Sequence, residues 1–499
     1  MYRFQYSWVL VLALTGFGSA IACNSPRSND GSPADATGGS SSAPSESTPC
    51  VIRVSANDGN DKNTGESWSA ALKTLQAALN KAEGIAGFDV CVDVEVWVAE
   101  GIYIPTRPKD ANIPRSATFE LIPNVSLFGG FVGKETARSE RDFESHVTVL
   151  SGDLGTANDP RDNSFHVVIG ATGATLDGFV ITGGNASGTS VAYGADKNGG
   201  GMLNFSVSPL VTNCTFIDNH AGVGGAVYNQ FSSATIMGCH FLLNSAARGG
   251  AVFNSSYKNP HIPTFRDCTF AENFADEGGA IANVWVRPMI TNSVFLGNIA
   301  TRGGAISNVV GWPSISNCLF LWNVANSGGA IWSFNYSSPK IANCTFAENA
   351  AKTGSALYNT YIVSPTVTNS IFWNMLNAES APDEIYNDSS SVLTGVSYSI
   401  VRGGYPDGTN IIDKDPLFAD PAKGDFTLKI GSPALDSGNG CSELVTLTDL
   451  NHRPRWDVSE ISNAVNGGPV DMGALEYQGK AGTDTLLTEF ACPTVVEEP

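Results

Sequence analysis

The chain has 499 residues, 53 of them Gly, with charged residues at 15% and a formal net charge of −20 at pH 7. Repulsion excludes nucleic acid and anionic lipid head groups as partners, and disfavours an acidic polysaccharide unless a cation bridges the two. Abundant Gly with little charge favours tight turns around an extended buried surface over charge-rich helices.

In chain order, MYRFQYSWVLVLALTGFGSAIAC opens as an export signal: Arg3 is the positive charge, Trp8 to Leu14 the apolar run, and small residues precede Cys23. Ala20-Ile21-Ala22-Cys23 resembles a bacterial lipobox, with Ala20 where Leu is commoner. That resemblance implies cleavage of residues 1–22 and lipidation of Cys23, while Ala20-x-Ala22 also suits ordinary signal cleavage. Residues 23–49 hold almost no apolar side chain and read as a Ser/Gly/Pro-rich tether with a reach on the order of 30 Å. A lipid followed by a spacer fits an exported lipoprotein of the bacterial outer membrane or cell surface; free secretion is the alternative.

Residues 50–94 read as an N-terminal cap. Within it, NTGESWSAALKTLQAALNKA (63–82) predicts a turn and a short amphipathic helix with Leu72, Leu75, Ala78, Leu79 and Ala82 on one face. From 95 to 400, and most clearly over 175–390, the chain repeats. VTNCTFIDN…GGAVYN is followed by IMGCHFLLN…GGAVFN, FRDCTFAEN…GGAIAN, ITNSVFLGN…GGAISN, ISNCLFLWN…GGAIWS and IANCTFAEN…GSALYN. The aligned position is Cys214, Cys239, Cys268, Ser293, Cys318, Cys344 and Ser370, a period of about 25 residues without helical patterning, which indicates a β-solenoid. Phe216, Phe241, Phe270, Phe295, Phe320, Phe346 and Phe372 share the parity of the Cys and are predicted inside. The apolar residue three before the Cys (Val211, Ile236, Phe265, Ile290, Ile315, Ile341, Val367) has the wrong parity for a continuous strand. Only Asn, Gly or Asp stands between (Asn213, Gly238, Asp267, Asn292, Asn317, Asn343, Asn369), the types that tolerate a left-handed backbone. One such residue per coil is predicted to turn the chain and keep both flanking side chains inside. Val227, Val252, Ile281, Ile306, Ile331 and Leu357 point inward from a further strand. The fold class is all-β: a single-stranded right-handed parallel β-helix with a short N-terminal capping helix.

The five ladder cysteines are expected as free thiols, because parallel neighbours hold their Cβ atoms about 4.8 Å apart, wider than a disulfide prefers. Cys50 is expected to pair with Cys91, and Cys441 with Cys492, in an oxidising compartment.

FIDN at 216–219, FAEN at 270–273 and FLGN at 295–298, with GGAI at 278–281, 303–306 and 328–331, resemble chlamydial-type polymorphic outer membrane protein repeats. The resemblance covers roughly 175–375 and implies the solenoid fold and a surface location, with no indication of ligand. The flanks, through VEVWVAEGIYIP, SLFGGF and LDGFVITGGN, resemble bacterial surface proteins of the pectin-lyase-like class. Residues 401–480, with DPLFADPAKGDFTLKIGSPALDSGNG, TDLNHRPR and VDMGALEY, resemble a choice-of-anchor module, which implies a cap closing the β-helix; 481–499 form a tail. In that cap Asp425, Asp436, Asp449, Asp471 and Glu476 are expected around Arg453 and Arg455, with Ca²⁺ on Asp436, Asp449 and Asp471 as the alternative. No other cofactor is expected.

A pectin-lyase-like fold does not assign an activity. A lyase needs a base beside cation-binding carboxylates, and a glycosidase two carboxylates across a sugar. The outward positions of the repeat are Thr, Ser, Asn and apolar residues instead, and His220, His240 and His261 fall at different points of their coils. Aromatic residues are the candidate binding groups. Tyr228, Phe253, Trp332 and Tyr358 follow the inward Ile and face out; Phe231, Tyr257, Trp285, Trp312, Tyr336 and Tyr361 lie just beyond. Such a row suits sugar rings or a protein partner, or the rings shield one another. The expectation is a monomeric surface protein that binds extracellular glycan or a surface protein without catalysis. A polysaccharide lyase or glycoside hydrolase is the alternative, and a structural rod the third reading.

Overall fold

The structure is a computed structural model that describes residues 50–86, 91, 93–157, 159–188, 195–257, 260–374, 383–391, 394–441, 443–458, 461, 470–478 and 485–486. The signal, the tether, Cys23 and Cys492 lie outside the described residues. The helix runs Leu75–Ile85, started by the Thr74 hydroxyl, which accepts the Ala77 N–H at 3.2 Å. Leu75, Ala78, Leu79 and Ala82, with Leu72 just before them, are buried over the first end of the core.

Each coil of the solenoid lays strands on three faces; in one they are Met289–Thr291, Val294–Leu296 and Ile306–Val309. Strands of the first two kinds join in a 23-stranded sheet and those of the third form a 10-stranded sheet. Coil pairs with coil in parallel and in register: Ile290 with Ile315, Phe295 with Phe320, Asn283 with Asn308. The chain is a right-handed parallel β-helix, the hand that strand twist imposes on parallel crossovers.

The corner before each Cys is left-handed: φ is 48° to 57° at Asn213, Asp267, Asn292, Asn317, Asn343 and Asn369 and 60° at Gly238. The expectation of a single such residue per coil is corrected to four. A second corner falls at Asp218, Leu243, Glu272, Gly297, Trp322 and Glu348, one residue before the Asn of Phe-x-x-Asn. The third is the first Gly of each Gly-Gly pair, such as Gly303 at φ 62°. At the second Gly of that pair, Gly304, an added Cβ would stand 2.1 Å from the Gly329 carbonyl oxygen, so the coils approach too closely for any side chain. The fourth includes Trp285, Val310 and Tyr361. These costly conformations persist because stacking continues through them: Leu243 N–H donates to Ala271 O at 3.2 Å and Trp285 N–H to Val309 O at 3.1 Å.

Inside, the Phe column from Phe216 to Phe372 is fully buried, its successive rings parallel within 4° to 7° and 4.6 to 5.1 Å apart. Cys214, Cys239, Cys268, Cys318 and Cys344 are free and buried. Their column does more than fill space. The Cys214 thiol donates to Thr212 O at 3.1 Å, and Ser293 Oγ to Thr291 O at 2.8 Å while accepting the Cys268 N–H at 3.2 Å. A small side chain with one polar hydrogen satisfies the corner, which is why Ser replaces Cys.

Two asparagine columns run beside the apolar ones. In Phe-x-x-Asn, the Asn244 Oδ1 accepts both the backbone N–H and the Nδ2–H of Asn219 at 3.1 and 3.2 Å. The Asn244 Nδ2 group donates to Phe216 O at 2.9 Å and Asn273 Oδ1 at 3.0 Å. The pattern repeats to Asn374, which donates its N–H and Nδ2–H to Glu384. The Asn of Gly-Gly-Ala-Ile-x-Asn forms the second column, Asn204 to Asn308, with Nδ2 to Oδ1 distances of 2.8 to 3.0 Å. Between the ends of each column, buried amides satisfied in both directions fix the register of neighbouring coils.

The C-terminal segment begins on the last coil, where Thr409–Ile412 pairs with Gly395–Val401 and Tyr405 and Ile411 pack against the end of the core, and then runs back along the rod. Phe418, Phe426, Leu428, Leu435, Met472 and Leu475 pack along the outward side of the second face, on Leu242, Ala271, Leu296, Leu319, Leu321, Ala347 and Ile371. Those positions, apolar although they face out, required a cover. Asn317 donates to Thr446 Oγ1 at 2.7 Å and Asn369 to Asn439 O at 2.9 Å, pinning the segment to particular coils.

Candidate functional site

Along the turn after the third face, seven successive coils present Phe205, Phe231, Tyr257, Trp285, Trp312, Tyr336 and Tyr361. At the strand spacing their ridge extends about 29 Å. The aromatic shifts by a residue or two between coils, so the rings are staggered: Phe205 meets Phe231 edge-on at 6.0 Å, and Phe231 meets Tyr257 at 4.7 Å. Trp285 and Trp312 are 48% and 41% exposed, Tyr336 and Tyr361 54% and 51%. Arg287 lies 5.0 Å over the Trp312 ring and braces it. Large rings held by backbone turns, with open faces, form a preorganised stacking platform.

The inner row is different. Tyr228, Phe253 and Trp332 do point away from the core, yet only 8%, 6% and 5% of each is exposed, so their place among the candidate ligand-binding residues is corrected. Tyr228 stacks on Phe253 at 5.5 Å, Arg248 covers Phe253 at 5.1 Å and Arg302 covers Trp332 at 5.4 Å. Glu277 ties the two arginines together, at 3.0 Å from Arg248 and 3.3 Å from Arg302. These rings are the floor of a charged lid and present no open face to a ligand. Tyr358, half-buried, stacks on Tyr386 at 5.0 Å.

The remaining candidates lie elsewhere. Cys50 and Cys91 are disulfide-bonded, with Cα atoms 5.7 Å apart; Cys441 is also disulfide-bonded, while Cys492 and the lipidation candidate Cys23 lie outside the described residues. The cap carboxylates serve the backbone. Asp449 accepts N–H groups from Asn451, Arg453 and Glu476, and Asp471 accepts those of Asp436 and Tyr477. Asp436 accepts the Val458 N–H at 3.1 Å. Arg455, fully buried, pairs with Glu476 and donates to Asn317 Oδ1 at 3.2 Å, whereas Arg453 and Asp425 are exposed. Burial raises the Asp449 and Asp471 carboxyls and lifts Glu476 to about 7. Among the described residues, no group of three or more His, Cys, Asp or Glu side chains is placed to hold a metal ion. His220 bonds Ser245 at 3.0 Å and His261 bonds Ser256 at 3.2 Å, each within its own stack of turns.

Residues 213–230 match the Chlamydia polymorphic membrane protein repeat. No curated protein sequence matches the chain. Solved structures similar to it include a pectate lyase, at 13% identity over 87% of this chain and 97% of that one, with a TM-score of 0.44. XylC in complex with xylose is similar at 8% identity over 88% and 99%, with a TM-score of 0.43. A lacto-N-biosidase from Eubacterium ramulus follows at 12% over 73% and 67%, with a TM-score of 0.35.

Proposed function

We propose that the protein is displayed on a bacterial surface and binds extended ligands, glycan chains foremost, along the ridge from Phe205 to Tyr361. The observation that carries this reading is the row of aromatic residues, all exposed but the half-buried Phe231, on one edge of a rod whose other aromatic row is covered. A row of large exposed rings along one edge marks an interaction surface, and sugar rings present the flat C–H faces that an open indole accepts. The repeat matched at 213–230, named for a membrane protein, supports the surface location. An N-terminal lipid on Cys23, followed by the tether, supplies the attachment in this reading.

A glycan array probed with the wild type and with the Trp285→Ala/Trp312→Ala double variant tests it. Binding by the wild type that the double variant loses, at an unchanged melting temperature, is expected. Equal signals from both proteins, or none from either, contradict the glycan reading. Release of unsaturated or reducing sugar ends would replace it with a degrading enzyme.

A further inference from the structure

A second site lies away from the ridge, at the N-terminal end, and does not depend on it. The first strand, Cys50–Val54, alternates: Ile52 and Val54 enter the core, and Val51 and Arg53 face out. Beside it the next strand, Val94–Ala99, turns Glu95 and Trp97 to the same side. With Glu66 and the loop carrying Thr136, Arg138 and Ser139 they line an open groove of about 810 Å³.

Two of the three arginines on this groove are committed. Arg138 pairs with Glu95 at 2.6 Å, and Arg141 with Asp177 at 2.7 Å. The second oxygen of Glu95 accepts the Trp97 indole N–H at 2.6 Å, so that carboxylate is engaged by Arg138 and Trp97 rather than by Arg53. Arg53 has no carboxylate partner among the described residues. Its guanidinium stacks 5.1 Å from the Trp97 ring and 5.9 Å from Trp68, and donates one N–H to Glu66 O at 2.6 Å. A guanidinium has five N–H donors in a planar fork. Here the group lies beside two indoles and donates to one carbonyl, and the rest of the fork has no protein acceptor among the described residues. In a chain of net charge −20, a half-buried cation without a counter-charge is a cost unless something supplies one.

We infer that this groove is a receptor for a small ligand bearing an oxyanion, which the Arg53 fork grips through two parallel hydrogen bonds. Ser139 stands on the same wall, beside Thr136, whose hydroxyl donates to Glu140. Carboxylate and phosphate share the geometry the fork recognises.

Calorimetric titration of the intact protein with glucuronate, glucose 6-phosphate and glucose tests the site. Binding of at least one anion, weakened by added salt, with no heat from glucose, is the expected result. Which anion binds identifies the oxyanion. Arg53→Gln is expected to weaken binding at least about tenfold, or 1.4 kcal/mol. Arg53→Lys keeps the charge but loses the fork, and is expected to lose most of the affinity at an unchanged melting temperature. It decides the matter if Arg53→Gln does not fold. Trp285→Ala/Trp312→Ala is expected to bind the anion as the wild type does, which separates this site from the ridge. Absence of binding by both anions, equal binding of glucose, or wild-type affinity in Arg53→Lys overturns the inference.

Discussion

Ser333 occupies the place of an asparagine in the second amide column, and both sides show the gap: Ser333 Oγ and Asn308 Nδ2 are buried without partners. The coil above and the coil below pair in register there, so the site has the dimensions of an Asn. Ser333→Asn is expected to stabilise the protein by about 1–2 kcal/mol, since satisfying a buried donor recovers its desolvation cost. A lower melting temperature in that variant would contradict the column as described. Glu384 closes the other column, accepting two N–H groups from Asn374 and a hydroxyl from Ser355. Burial outweighs those donors and raises its carboxyl from 4.5 to about 7. The folded chain therefore holds a proton there that the unfolded chain has released. The resulting stability is full below about pH 4.5 and is lost as pH rises through about 7, on the order of 3 kcal/mol. Glu476, also raised to about 7, acts in the same window. Melting temperature is expected to fall from pH 5 to pH 8, and Glu384→Gln to flatten part of that fall. Identical slopes in the two proteins would refute this assignment.

At the scale of the coil, the legible features were those in which residue type and position coincide. Asn, Gly and Asp before the Cys marked a left-handed corner, and Phe295 two residues beyond Ser293 marked the interior. The second corner was not legible, because Leu243, Trp322 and Glu348 have no affinity for positive φ and adopt it only because stacked coils hold them there. The asparagine columns were visible only as a repeated letter. Amides that satisfy one another appear only once the coils are stacked. Parity correctly turned Tyr228, Phe253 and Trp332 outward, yet the cover supplied by Arg248 and Arg302 comes from a turn whose path the sequence does not reveal. Phe295→Ala removes one ring between neighbours 4.9 and 4.7 Å away and is expected to cost about 3–5 kcal/mol through the cavity left. An unchanged denaturation midpoint would place that ring outside the core.

For the whole molecule, the solenoid is a rod with one flank covered by its own C-terminal segment and one edge left aromatic and open. The cover follows from outward-facing Leu242, Leu296, Leu319, Leu321 and Ile371, a strip that a solvated rod does not tolerate. A chain ending at residue 412 is expected to keep its coils and self-associate, detectable by light scattering; a stable monomer would contradict that role. The ridge has no such cover among the described residues, and binding along it is the central claim. Its most direct test is a calorimetric series of one array-positive oligosaccharide at increasing length, on the wild type and on Trp285→Ala/Trp312→Ala. The account predicts affinity that grows with length until the ridge is filled, and a double variant that melts normally but loses that growth. Affinity independent of length, or the same growth without the two indoles, would contradict it.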